Sequence, residues 1–97
     1  MKDVSIDEKV KALMLIGDSY SIEKNYAQAR NLYEKVLVMP EAVASQKIDA
    51  QEKIAVMYRA ELNYTQAKVA YEKMLSMDSL SDDQKQEIKQ RILTIYR

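Results

Sequence analysis

The sequence repeats itself with a period of 38 residues, and this repetition constrains the fold more than any other feature. Residues 20–39 and 58–77 are identical at 11 of 20 positions, where chance would give about one match. The same offset relates Ile16 to Ile54 and Ile54 to Ile92. The chain therefore contains two full units and the first half of a third. Units of this kind bury their apolar faces by stacking on their neighbours.

Each unit is expected to form two helices. Ser5 begins a capping box, and apolar residues follow it at three- and four-residue steps along one helical face. Asn25 is expected to cap a second helix, which ends before Pro40. The pattern then starts again near Val43, where the sequence has no Ser or Asn to act as a cap. A further capping box at Ser81 opens a fifth helix.

The sequence thus predicts an all-α single domain over residues 1–97, built from antiparallel helix pairs. Repeat 1 covers about residues 5–40, repeat 2 about 43–78, and a C-terminal helix about 81–97. Leu93 stands where the first two units have Gly17 and Ala55, and a large residue there leaves little room for a further helix. This favours a capping helix over a truncated repeat.

The composition excludes most catalytic and cofactor chemistry. The chain has no Cys and no His, and only one Gly and one Pro. Thiol nucleophiles, imidazole bases, zinc sites and glycine-rich phosphate loops are therefore absent. The acidic and basic residues balance to a net charge of zero, and no apolar run is long enough to span a bilayer. We expect no enzyme activity, no cofactor or metal, no nucleic-acid partner and no membrane insertion; the compartment stays open.

In order and approximate spacing, these residues resemble the tetratricopeptide repeat family. The resemblance is carried in the first unit by Leu13, Ile16, Gly17, Tyr20, Tyr26, Ala29, Tyr33 and Pro40, and in the second by Ile54, Ala55, Tyr58, Tyr64, Ala67 and Tyr71. It implies a right-handed α-solenoid of helix pairs. The period of 38 is about one helical turn longer than the 34 residues usual in the family.

The resemblance also implies a concave groove, lined by the first helix of each pair, that holds a partner peptide or helix. The matching positions are Lys11, Met14, Leu15, Asp18, Ile22, Asp49, Glu52, Lys53, Val56, Arg59, Gln90 and Arg91. Some family members use such a groove to clamp the carboxylates of an acidic C-terminal tail. Here only Arg91 suits that role, whereas Asp18 and Glu87 would repel the tail, so we predict no such binding.

Two functions follow as hypotheses. The first is a non-catalytic protein–protein interaction module that binds a partner segment in the groove, as part of a larger protein. The alternative is self-assembly, by dimerisation or helix swapping, through the apolar face of the C-terminal helix. That candidate face is formed by Ile88, Ile92, Ile95 and Tyr96.

Overall fold

The computed structural model describes residues 5–95, which form five α-helices and no strand. The helices are α1 (Ile6–Ile22), α2 (Tyr26–Leu37), α3 (Ala44–Ala60), α4 (Tyr64–Leu75) and α5 (Asp82–Ile95). The predicted all-α class and the number of helices are confirmed. Both ends of α3 and α4 lie 38 residues after those of α1 and α2, and α5 begins 38 residues after α3. Tyr96 lies outside the described residues.

Helices that follow one another in the chain pack against each other. The contacts are extensive from α1 to α4 and smaller between α4 and α5. The first and third helices also contact each other, over a small area. The core is one cluster that runs through all five helices and includes Val10, Ala29, Tyr33, Val36, Ile48, Ala50, Ile54, Ala55, Ala67, Tyr71, Met74, Ile88 and Ile95.

Polar side chains satisfy the free backbone amides where α1, α3 and α5 begin. The hydroxyl oxygens of Ser5 and Ser81 each accept the amide three residues later, at 3.2 Å in both cases. At α3 the cap residue is Val43, which has no side-chain acceptor. Gln46 compensates from inside the helix, because its Oε1 accepts the Val43 amide at 2.9 Å. The start of α3 therefore has only one of the two hydrogen bonds of a capping box, the bond between the Val43 amide and the Gln46 side chain.

The second helix of each pair begins at an Asn, as predicted. The Asn63 side chain accepts the Gln66 amide at 3.3 Å, but Asn25 occupies the cap position without a side-chain hydrogen bond. The expectation of a side-chain cap is thus confirmed for α4 and wrong for α2. In both units the backbone amide of this Asn also donates to the preceding turn.

Three-residue turns join the two helices of each pair, and both are Schellman motifs. The Asn25 amide donates to Tyr20 O at 2.8 Å and the Lys24 amide to Ser21 O at 2.9 Å. The second unit repeats this with Asn63 donating to Tyr58 O at 2.9 Å. The residue before each Asn lies in the left-handed region, with φ of 64° at Lys24 and 63° at Leu62. Neither is the glycine that this conformation favours.

Candidate binding face

None of the twelve predicted groove residues is buried. The structure exposes Lys11, Leu15, Ile22, Asp49, Val56, Arg59 and Gln90, and half-buries Met14, Asp18, Glu52, Lys53 and Arg91. All twelve lie on α1, α3 or α5. Met14 packs against the core, which makes it partly structural. The remaining apolar members are therefore the accessible ones, with Leu15 at 58% and Val56 at 37% exposure.

Ion pairs connect α1, α3 and α5 across this side of the molecule. Lys53 Nζ on α3 lies 3.1 Å from Asp18 Oδ1 on α1. Arg91 on α5 lies 3.6 Å from Glu52 on α3, and it also bonds to Glu87 on its own helix at 2.9 Å. Lys53 and Arg91 are equivalent by the 38-residue offset. We call the surface formed by Leu15, Asp18, Glu52, Lys53, Val56 and Arg91 the α1/α3/α5 face.

A buried tyrosine from α2 supports this face from below. The Tyr33 hydroxyl donates to Asp18 Oδ1 at 2.6 Å, and the same oxygen accepts from Lys53. Lys53 Nζ also lies 5.9 Å from the centre of the Tyr33 ring. Burial raises the pKa of the Tyr33 phenol above its usual value, and the hydrogen bond to Asp18 raises it further. Asp18 is thus held in place by groups from two other helices.

Gly17 makes room for this tyrosine. A Cβ at Gly17 would lie 2.6 Å from Tyr33 Cε1 and 2.9 Å from Cζ, which is far inside van der Waals contact. Gly17 on α1 and Ala29 on α2 are both buried. The group nearest to Gly17, however, is the Tyr33 ring. The absence of a side chain at residue 17 lets that ring come close to α1.

The second unit has the tyrosine but lacks its acceptor. Tyr71 is fully buried, and Val56 stands at the position that Asp18 has in the first unit. The Tyr71 hydroxyl has no hydrogen-bond partner among the described residues. Such a buried unpaired hydroxyl costs stability. The residue at the acceptor position is therefore charged beside Tyr33 and apolar in the second unit, where Val56 stands.

Between α3 and α5 the face continues into an acidic cleft. Asp49, Glu52 and Glu87 line it together with Arg91, above an apolar floor that includes Ile48. The hydrogen bond that Arg91 donates to the Glu87 carboxylate raises the pKa of Arg91. Three carboxylates against one guanidinium leave an excess of negative charge, which favours a cationic group in the cleft.

The candidate oligomer face on α5 requires a correction. Ile88 and Ile95 are buried within the chain, and Ile92 is half-buried, because the preceding helix pair covers them. These side chains are therefore not available as an open apolar face, and Tyr96 lies outside the described residues. The large apolar side chain that α5 exposes is Leu93.

Sequence reasoning missed the polar contacts between helices. One of them is the hydrogen bond from Tyr33 to Asp18. Another is made by Gln51, which is buried and donates from Nε2 to Ala70 O at 3.1 Å. Gln51 gave a signal, since a polar residue at a position that is apolar in the first unit needs a buried partner. Nothing in the 38-residue comparison pointed to Asp18, because its equivalent is Val56.

Comparisons of this chain with protein-family models, curated proteins and solved structures gave no match. Over residues 5–95, no helix is both long and apolar enough to cross a membrane. In the same residues, the acidic side chains form no group of three or more that could hold a metal ion.

Proposed function

We propose that this chain is a tetratricopeptide-like helical repeat that binds a segment of a partner protein on the α1/α3/α5 face, without catalysis. The observation that carries the proposal is the pairing of Asp18 with Lys53 and of Glu52 with Arg91, which joins three helices into one surface. Direct contact between α1 and α3 supports the continuity of this surface across the first two helix pairs.

Because the ion pairs form within the chain, the groups near α1 that remain available to a partner are apolar side chains. Leu15 lies one turn before Asp18, and Val56 lies one turn after Lys53, so the two flank the ion pair. Because Asp18 and Lys53 already satisfy each other, this part of the face offers a partner apolar area between fixed polar groups. A surface whose side chains are held in advance loses less entropy on binding.

The acidic cleft between α3 and α5 favours a second feature in the partner segment, a positive charge. Asp49 and Glu87 are exposed, whereas Arg91 is already engaged by two carboxylates. We therefore propose a partner segment that places an apolar side chain on Leu15 and Val56 and a Lys or Arg in the cleft. An acidic tail meets like charge there and is disfavoured.

Selection of displayed random peptides on the immobilised full chain tests this proposal. The selected peptides should combine apolar and basic residues. Titration of such a peptide into the ¹⁵N-labelled chain should move amide resonances of α1, α3 and α5 more than those of α2 and α4. Selection of acidic peptides, or shifts centred on α2 and α4, would contradict the proposal.

Two valine variants provide a matched test of the site. Val56 on this face and Val69 on α4 have nearly equal exposure, 37% and 38%. Val56→Glu should weaken binding of the selected peptide at least tenfold in calorimetric titration, because it places a charge on the apolar contact. Val69→Glu should leave binding within about twofold. Circular dichroism establishes that both variants are folded, and equal losses of affinity would refute the assignment.

A further inference from the structure

One side of α1 is uncovered, although the equivalent sides of α3 and α5 are buried. Ile16 is 48% exposed, whereas Ile54, 38 residues later, is 5% exposed. Ala12 is likewise exposed where Ala50 is fully buried. On α5 the same positions are the buried Ile88 and the half-buried Ile92. We call the side of α1 formed by Ala12, Ile16, Ser19, Tyr20 and Glu23 the uncovered α1 face.

The packing of α2 on α3 shows which groups bind to the equivalent face when it is covered. The Arg30 guanidinium of α2 lies 4.3 Å from the centre of the Tyr58 ring on α3. The same guanidinium forms an ion pair with Glu61, directly after α3. Arg30 is half-buried, whereas Glu61 is exposed. We call the side of α3 that contacts α2 the α3 receptor. It combines an apolar stripe with an aromatic ring and a carboxylate that together bind one cation.

The uncovered α1 face carries the same receptor residues in the same order. Tyr20 stands 38 residues before Tyr58, and Glu23 stands 38 residues before Glu61. Tyr20 is half-buried, Glu23 is exposed, and no cation within residues 5–95 pairs with Glu23. The tyrosine and carboxylate that hold Arg30 on α3 are therefore present on α1 without their cation.

The polar member of the face does not prevent coverage. Ser19 replaces the buried Met57 of α3, but its hydroxyl donates to Leu15 O at 3.1 Å. A helix that packs over Ser19 therefore leaves no hydroxyl proton unpaired. The smaller side chain also allows close approach.

The opposite end of the molecule differs. On the open side of α5, the exposed Gln86 stands where α1 and α3 have the buried Val10 and Ile48. That end is therefore partly polar, and Leu93 is its exposed large apolar side chain. Within the chain, Arg30 already occupies the receptor on α3. A second copy thus has no α2-like surface left to offer, and we infer an occupant from a different protein.

We propose that the uncovered α1 face docks an amphipathic helix of a partner protein, with a Lys or Arg placed against Tyr20 and Glu23 as Arg30 is against Tyr58 and Glu61. The apolar side of that helix covers Ala12 and Ile16. This surface is separate from the α1/α3/α5 face, and the two can be occupied independently.

A synthetic peptide of residues 24–42 of this chain is the direct probe, because it contains α2 and its basic residue. Titrated into the ¹⁵N-labelled full chain, it should move the amide resonances of residues 12–23 on α1. Binding should be weak, since an isolated helix of this length is marginal in water. Shifts that leave residues 12–23 unmoved overturn the proposal.

A charge swap tests the specific contact. Glu23→Lys in the chain should weaken the peptide at least fivefold, and Arg30→Glu in the peptide should do the same to the unaltered chain. The two changes together should restore affinity to within about twofold, because they recreate an ion pair of reversed sense. Glu72→Lys, an exposed acid on α4, is the matched control and should have no effect.

Light scattering tests whether a second copy of this chain occupies the uncovered α1 face instead. A mass that is independent of concentration agrees with a face reserved for a different protein. A concentration-dependent dimer that Ile16→Lys abolishes would assign the face to a second copy and overturn the proposal. Failure of the charge swap to restore binding would overturn it as well.

Discussion

The two helical units have the same backbone plan and different polar interiors. Their helix ends, their turns and the left-handed residues at 24 and 62 coincide at the 38-residue offset. Around the buried tyrosine they differ, since unit 1 has Gly17, Tyr33 and Asp18 where unit 2 has Ala55, Tyr71 and Val56. The comparison indicates that repetition preserves the packing skeleton, while the hydrogen bonds of the interior are set unit by unit.

The three residues of unit 1 act together. Because Gly17 has no Cβ, the Tyr33 ring approaches α1, and its hydroxyl then reaches Asp18. In unit 2 the methyl group of Ala55 occupies the space that Gly17 leaves open in unit 1. Val56 stands in the place of the acceptor Asp18. Tyr71 therefore contributes its ring to the core but leaves its hydroxyl without a partner in the described residues.

Removing the hydroxyl of Tyr33 and removing that of Tyr71 should change the free energy of unfolding in opposite directions or only in the first case. Tyr33→Phe should lower the free energy of unfolding by about 1.5 to 3 kcal/mol, because it breaks a hydrogen bond to a charged carboxylate. Tyr71→Phe should be neutral or stabilising, because it removes an unpaired buried hydroxyl. Urea unfolding monitored by circular dichroism measures both. Equal losses in the two variants would mean that the units do not differ in this way.

Alkaline pH should expose the same difference. The pKa of Tyr33 is higher in the folded chain than the ordinary value near 10 of an unfolded tyrosine. The unfolded chain therefore loses this proton first, so the stability contribution is complete below about pH 10 and declines above it. Unfolding midpoints measured from pH 8 to 12 should fall more for the unaltered chain than for Tyr33→Phe. Parallel curves would contradict this prediction.

Gly17→Ala should destabilise the chain by about 1 to 2 kcal/mol, since the cost of overpacking exceeds the gain in helix propensity. The new methyl group would force the Tyr33 ring away from α1 and weaken its bond to Asp18. In the Tyr33→Phe background the cost should be smaller, because no hydrogen bond remains to be lost. A double-mutant cycle by urea unfolding tests this coupling, and strict additivity would argue against it.

Giving unit 2 the acceptor of unit 1 should stabilise it. In an Ala55→Gly background, which supplies the space that Gly17 provides in unit 1, Val56→Asp places a carboxylate where Asp18 lies, and Arg91 is in place as the equivalent of Lys53. Relative to Ala55→Gly alone, we expect a gain of about 1 kcal/mol from satisfying the Tyr71 hydroxyl. Thermal unfolding measures it, and the gain should disappear when Tyr71→Phe is added. A gain that persists when Tyr71→Phe is present would have another cause.

The smallest effects should be equal in the two units. Lys24→Gly and Leu62→Gly each relieve a left-handed conformation that favours glycine. The larger unfolded-state entropy of glycine offsets part of the gain, which leaves about 0.5 to 1 kcal/mol for each. Thermal unfolding of the two variants should give matching shifts. Unequal shifts would show that the turns differ despite their similar angles.

The sequence predicted those parts of the fold that depend on neighbouring residues. The capping box at Ser81, the helix end before Pro40 and the Asn at the start of each second helix all follow from local rules. The start of α3 was predicted within one residue, although its cap is Val43. The repeat then transferred each local prediction from one unit to the next.

The interactions between helices could not be predicted in the same way. Asp18 meets Lys53 and Tyr33 only after three helices have packed, and those residues are 35 and 15 positions away. The burial of Ile88 and Ile95 also depends on how α4 and α5 approach each other. Periodicity identifies an apolar side of a helix, but it does not say which neighbour covers that side.

The three-residue turns have a mechanical consequence. In each one, the same Asn ends the motif of the first helix and begins the second, so the turn has little slack. The links between pairs, residues 38–43 and 76–81, are twice as long. Among the described helices α5 packs least on its neighbour, so we expect bending to be greatest at the joint before α5. A partner that spans α3 and α5 would act as a brace, fixing the angle of the joint that the chain itself holds most loosely.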